Sequence, residues 1–330
     1  MAVEKRDAGV DLARVVGLTA MVAGHVWTEG QPYRLTYTWH MPLFFLLAGW
    51  FWRPGRSLSR EWVNRLRTLL VPYVAWLVLV AAFFFAYEAP NILYWSKEIV
   101  VGGAVARPFS AFWFITALAA VCLLRRGLEV AGLGLPAVTA LAAAGWLLSY
   151  PFGDRLHDVP ESLGTVAYTL VFVVAGEWLR RFTDRLERRL ALTAALVLVA
   201  SGLALAATGV VEPMNLKQGE LGTPVAGYLV AVAVSWGLLV LCTALGRVSA
   251  EPVRRAVTEL AVVALPLVLL HASVILVMGT QRWSTFVVAL VVPWAVGLVL
   301  VRSPLAPLLV GTAPAAPERP ADRRVAVTRE

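Results

Sequence analysis

Apolar stretches of membrane length recur along this chain, at roughly 9–28, 37–53, 68–87, 110–125, 132–150, 162–180, 190–210, 223–246, 257–279 and 284–301. A helix of about 20 apolar residues crosses a hydrocarbon core of about 30 Å. In lipid each such run must satisfy its own backbone, which a helix does without help. Only 15% of the residues are charged and 59% are hydrophobic, against about 25% charged in a soluble domain. The pattern therefore predicts an all-α, polytopic transmembrane helix bundle of about ten spans.

The basic residues test the count. With the N-terminus inside, 23 of the 29 Lys and Arg fall in inside segments and six outside, at Arg34, Lys97, Arg107, Arg155, Lys217 and Arg282. A missed or surplus span would scramble that asymmetry, so the positive-inside rule favours ten spans with both termini cytoplasmic. The same distribution explains the net charge of +8 without nucleic acid as a partner. The N-terminal MAVEKRDAG has no small-residue cleavage site, and no cleavable signal peptide is expected. Cys122 and Cys242 lie in apolar runs, where buried free thiols are the default. Residues 1–302 are expected to form one transmembrane domain. The stretch 303–330, rich in Pro, Ala and Arg, is expected to be a disordered cytoplasmic tail. Two interfacial helices are predicted: one around 94–101, and one in SLSREWVNRLR with Trp62, Leu66 and Leu69 at helical spacing. No internal repeat is apparent.

The first span, VDLARVVGLTAMVAGHVW, must carry Asp11 and Arg14 into the membrane boundary, because its uncharged part alone is too short to cross. Eleven residues, about three turns, separate Arg14 from His25, so both emerge from nearly one face. Intramembrane ionisable groups tend to mark function. The plainer alternative is a snorkelling Arg14 paired with Asp11, with His25 a packing residue. His40 opens the second span and His271 lies in the ninth, with Pro266 expected to kink that helix. These three of the four histidines fall in the outer half, while His157 sits in an outside loop. No HxxxH or HxxE spacing accompanies them, so no metal is expected; imidazoles suit proton abstraction from a hydroxyl. Arg14, Arg65 and Arg67 lie at the inner side, placed either to bind donor phosphates or to anchor the protein to anionic lipid.

Arg14 followed eleven residues later by His25 resembles the signature of the acyltransferase family 3 membrane proteins. HMPLFFLLAGWFW resembles their second-span motif, closest to the fucose 4-O-acetylase-like branch, with Ala48-Gly49 where Ser-Gly is usual. NRLRTLLVPY (64–73) is similar to their approach to the third span. FWFITAL (112–118) is similar to a Trp-Phe-Leu element, with Ile115 for Leu, and LLHASVIL to their late His-containing helix. The resemblance covers most of the membrane domain in order. It implies transfer of an acyl group, usually acetyl from acetyl-CoA, to a hydroxyl of a sugar, lipid-linked glycan, lipid or secreted metabolite. His25 is then the expected catalytic histidine, Arg14 its donor-binding partner and His40 a second pocket residue. Trp113 and His271 carry over as further candidates for donor and substrate contacts.

The combined reading is a multi-pass O-acyltransferase of a bacterial plasma membrane. Acyl-CoA binds from the cytoplasm near Arg14, Arg65, Arg67 and Trp113, and His25 acts as general base. His40, His271 and Asp11 line the substrate path, Asp11 by positioning Arg14. The rival is a transporter or flippase using the same stripe as a substrate or proton path. Scarce mid-span acids count against it, since Glu177 and Glu259 read as partners of nearby arginines.

Overall fold

The computed structural model describes residues 6–87 and 107–314. Helix α1 (Ala8–Val26) starts where Asp7 caps it, its carboxylate accepting the N–H groups of Gly9 and Val10. Such a cap satisfies donors the first turn otherwise leaves bare. The chain continues through α2 (Gly30–Tyr37), α3 (His40–Trp50), α4 (Leu58–Arg65), α5 (Val71–Tyr87) and α6 (Trp113–Val130). Then come α7 (Leu135–Ser149), α8 (Gly153–His157), α9 (Val166–Thr183), α10 (Arg188–Ala207) and α11 (Ala226–Val248). It closes with α12 (Glu251–Val262), α13 (Ala264–Met278), α14 (Trp283–Leu300) and α15 (Ala306–Leu309). Among the described residues the sole β element is an isolated bridge between Asn215 and Glu220. The protein is an all-α bundle.

Each expected span has a helix, but not every helix is long and apolar enough to cross a membrane. Seven are, or eight when α12 and α13, bent by 67°, count as one. The other two expected spans are α3 and α6. Helix α3 has only 11 residues, about 16 Å, and α6 carries Arg125, Arg126 and Glu129 in its last turns. Both are mostly buried, so neighbouring helices rather than lipid surround them. Side chains such as Val78, Phe83, Leu148, Val277 and Val299 lie on the outside, as a lipid-facing surface requires.

Helices α3 and α9 form the closest-packed pair. A Cβ on Gly49 would fall on the Val173 carbonyl oxygen, and one on Gly176 on the Leu46 carbonyl oxygen. Small residues let backbones approach where no hydrophobic effect drives helices together. Gly49→Val is therefore expected to destabilise the bundle by about 3 kcal/mol or more, read as a lowered denaturation midpoint in detergent. A midpoint unchanged from wild type would show that the helices can separate freely here.

Three expectations need refinement. Pro266 does sit beside a bend, but the break is at Val263, and Pro266 occupies the first turn of α13, where its missing N–H costs nothing. In and just after α4 the apolar side chains Leu58, Trp62, Val63 and Leu66 are exposed, while the acid Glu61 points inward and is buried. The expected tail boundary at 303 is incorrect. Residues 306–309 form α15, the Trp76 indole N–H donates to the Leu309 carbonyl at 2.8 Å, and Leu309 and Val310 are buried. Apolar Leu309 and Val310 let this stretch pack, despite its Pro and Ala content. The helix expected around 94–101 lies outside the described residues.

Candidate active site

Helix α1 sets two sites at its two ends. His25 lies at one and Arg14 at the other, about 16 Å apart by helical rise. At the histidine end, the antiparallel return through α2 and α3 brings Tyr37 and His40 against His25, with ring centroids 6.0 and 6.4 Å from it. Gly24 makes room, since a Cβ there would collide with Thr36 and the Tyr37 ring. Helix α13 delivers His271 from the other side. Its Nε2 lies 2.6 Å from His25 Nδ1, with the ring planes within 9° of parallel.

The hydrogen bonds fix the tautomers when each ring carries one proton. His271 Nδ1 is 2.9 Å from the Leu267 carbonyl, which can only accept, so Nδ1 holds the proton and Nε2 is a lone pair. That lone pair can only receive the His25 Nδ1–H. His25 Nε2 is then unprotonated, and the ring lines an open cavity. His40 is set in the same way, its Nδ1–H donating to the Thr36 carbonyl at 2.8 Å. The His25 ring is thus held in orientation by a second imidazole, itself held by a carbonyl.

The cavity holding His25, His40 and Trp113 measures about 470 Å³, within the usual range for small-molecule sites. Part of its wall is the loop joining α10 to α11, which supplies Asn215, Lys217 and Gln218. The Tyr168 hydroxyl pins that loop by donating to the Leu216 carbonyl at 2.7 Å, and the Met214 N–H donates to the Tyr37 carbonyl. Arg107 completes the wall, its Nη2 donating to the His25 carbonyl at 2.6 Å.

At the arginine end, Asp11 is buried and held by Arg14 Nη1 at 2.7 Å and by Arg6 at 3.2 Å. Arg14 borders two cavities. One, of about 700 Å³, also meets Arg6, Arg53, Arg180 and Arg181. The other, of about 510 Å³, is lined by Arg56, Arg65 and the buried Arg126 as well as by Leu18, Phe44, Phe114 and Val268. Val268 is three residues before His271 on α13, so this second cavity ends within about one turn of the histidines. Buried Glu61 gathers the arginines, with Arg56, Arg65 and Arg126 at 3.2, 2.7 and 3.6 Å. A cavity lined by both arginines and apolar side chains suits a phosphate-headed molecule with an uncharged arm.

Residues 7–305 match the family profile of the acyltransferase 3 proteins, described as an acyltransferase domain. The chain belongs to the acyltransferase 3 family. No curated protein and no solved structure matches it. With its membrane-type helices, it is an integral-membrane acyltransferase.

Within this acyltransferase the residues singled out from sequence divide between the two ends. His25, His40, His271 and Trp113 meet at the histidine end, so Trp113, expected on the donor side, lines the other cavity. Arg14, Asp11 and Arg65 meet at the arginine end. Arg67 does not join them; it is exposed on the π-helical turn Leu66–Leu70 and borders none of the cavities above. Ala48 is on the wall of the 510 Å³ cavity. His157 pairs with Asp158 at 3.2 Å, away from the site. Glu177 binds Arg125, and Glu259 binds Arg255 and Arg302. Among the described residues no three His, Cys, Asp or Glu side chains are grouped to hold a metal ion. The sequence reading missed Tyr37, Arg107 and Lys217. Only their place in outside segments, among few other charges, could have marked the two cations.

Proposed function

We propose that this protein transfers an acyl group, most simply acetyl, from cytoplasmic acyl-CoA to a hydroxyl of a sugar, lipid-linked glycan or secreted metabolite. The observation that carries the reading is the imidazole pair: His25 lines a cavity with its Nδ1 2.6 Å from His271 Nε2, and Arg14 borders an arginine-lined cavity at the other end of the same helix. The positive-inside pattern puts that second cavity on the cytoplasmic side. Donor phosphates meet Arg14 and Arg65, and the uncharged arm runs past Leu18 and Phe44 towards the histidines. The acceptor hydroxyl enters from the opposite face.

His25 Nε2 takes the hydroxyl proton as the acceptor oxygen bonds to the thioester carbonyl carbon. The C–S bond then breaks, and the proton on Nε2 passes to the departing thiolate, giving free CoA and an ester. Throughout, the Nδ1–H stays on His271 Nε2, which keeps the ring aimed and supports the imidazolium while it exists. His40 lies close enough to orient the acceptor. The fucose 4-O-acetylase-like likeness of the second-span motif favours a sugar as acceptor.

The test is release of free thiol from acetyl-CoA by purified protein, with and without candidate acceptors. A transferase releases thiol and accelerates when an acceptor is present; a carrier using the same stripe releases none. Arg14→Ala is expected to raise the KM for acetyl-CoA about tenfold, the worth of one charge-assisted contact, with a smaller change in kcat. Asp11 keeps Arg6 as a partner in that variant, so the helix end remains neutralised. An unchanged KM would remove Arg14 from the donor site.

A further inference from the structure

The transfer step leaves one charge to be met. When the acceptor oxygen bonds to the thioester carbon, the carbonyl oxygen turns negative, and acyl-transfer sites meet that charge with donors fixed in advance. The imidazoles at this end cannot supply them. The His25 Nδ1–H is on His271, and the His40 Nδ1–H is on the Thr36 carbonyl. The Tyr37 hydroxyl on the same wall is a neutral donor, and a charged donor makes the stronger bond to an oxyanion.

Arg107 is tied to the proposed base itself. Its Nη2 donates to the His25 carbonyl at 2.6 Å, and it borders the same cavity as the His25 ring. It stands near enough to His25, His271 and Tyr37 for their charges to act on one another. Ending α1 does not by itself need a cation. The next carbonyl, that of Val26, accepts a plain backbone N–H from Gln281 at 2.9 Å. A guanidinium carries several N–H donors in a rigid fork, so an arm on the His25 carbonyl leaves another able to serve the cavity. Arg107 is half-buried, and loss of surrounding water strengthens whatever bond it makes to a developing charge.

We propose that Arg107 is a catalytic residue of the transfer, one guanidinium arm holding the His25 carbonyl while another donates to the thioester oxygen as it becomes an oxyanion. The inference rests on the acyl-transfer reading and adds the group that meets its transient charge. As the bond from the acceptor oxygen to carbon forms, the C=O π pair moves onto oxygen, where the Arg107 N–H receives it. As that pair returns, the C–S bond breaks, and the sulfur leaves as thiolate and takes the proton from His25 Nε2. Arg107 ends the cycle unchanged.

The test is thiol release from acetyl-CoA by full-length protein in nanodiscs, with water and then methyl glucoside as acceptor. Arg107→Gln is expected to lower kcat about 10²-fold, the cost of one lost oxyanion donor, with the acetyl-CoA KM nearly unchanged. The glutamine amide can still donate to the His25 carbonyl, so the end of α1 stays capped. Arg107→Lys keeps the charge but not the fork, and its kcat is expected to fall about tenfold. A residue that only positions the base costs nothing further once the base is gone, whereas an oxyanion donor still counts. Arg107→Gln is therefore expected to lower the residual thiol release of His25→Gln about 10²-fold again.

Equal thiol release by His25→Gln and His25→Gln/Arg107→Gln makes Arg107 a positioning residue and overturns the inference, as does a loss confined to KM. If Arg107→Gln does not fold, Arg107→Lys carries the test, and a wild-type kcat there overturns the inference as well. The two readings fail differently. Wild-type protein that releases thiol no faster than Arg107→Gln leaves acyl transfer standing without Arg107; wild-type protein that releases none with either acceptor overturns both.

Discussion

His25→Gln is expected to lower acceptor-dependent thiol release by about 10³-fold, the usual worth of a positioned general base, while expression and membrane insertion stay at wild-type levels. Glutamine keeps a hydrogen-bonding side chain of similar reach, so the fold has little reason to change, but it cannot take a proton. His271→Phe is expected to cost less, about 10²-fold. It leaves His25 able to accept a proton but removes the partner that fixes its tautomer and orientation. Because His271 is completely buried, a loss of structure must be separated from a loss of positioning. Two readouts do so: the effect should fall on kcat with the acetyl-CoA KM nearly unchanged, and His25→Gln/His271→Phe should be no worse than His25→Gln alone. Residues that act as one unit show that non-additivity. If the double variant loses the product of the two single effects, His271 acts independently of His25, and the imidazole pair is not the working unit. Wild-type turnover in His25→Gln would remove the base altogether.

What could be seen in the sequence follows the range over which physics writes patterns. Helices are local, so the apolar runs each located a helix, although only seven, or eight with the bent pair, are long and apolar enough to cross a membrane. The Arg14–Asp11 pair is also local, one turn apart on one helix. The meeting of His25 and His40 was legible because a short connection makes antiparallel neighbours of α1 and α3. By contrast, His25 and His271 are separated by 246 residues. Sequence showed both at similar depth but could not show that one donates to the other, because nothing in local pattern sets which face of α13 turns towards α1.

The inward turn of Glu61 was hidden for a related reason. Helical spacing marks an apolar stripe running from α4 into the turn after it, and in a soluble protein that stripe would face the core. At a membrane boundary the outside is apolar too, so Trp62 and Leu66 face out and the acid faces in, where three arginines neutralise it. Arg107 and Lys217 gave no periodic signal, since loops carry none. The stretch after Arg302 misled because composition reports solvation, whereas docking onto Trp76 is a matter of shape.

The buried ion pair between α6 and α9 carries the largest expected effect on stability. Arg125 donates to Glu177 through Nε at 2.6 Å and Nη2 at 3.0 Å, and both side chains are under 5% exposed. Arg125 also lies 5.1 Å from the Trp52 ring, which Arg126 covers at 4.1 Å, and the Trp52 indole N–H donates to Glu129. Removing one member of such a pair strands the other's charge. Arg125→Met and Glu177→Met are therefore each expected to cost about 3–5 kcal/mol in detergent denaturation. Replacing both, by contrast, removes the desolvation penalty together with the attraction, so Arg125→Met/Glu177→Met should recover most of the loss. Independent costs that add in the double variant would mean that each side chain acts through other neighbours, Trp52 and Glu129 for Arg125. Recovery of stability without recovery of turnover would assign the pair a second task. It would then be holding α6, with Arg126, against Glu61, and so keeping the arginine-end recess in the shape the donor needs.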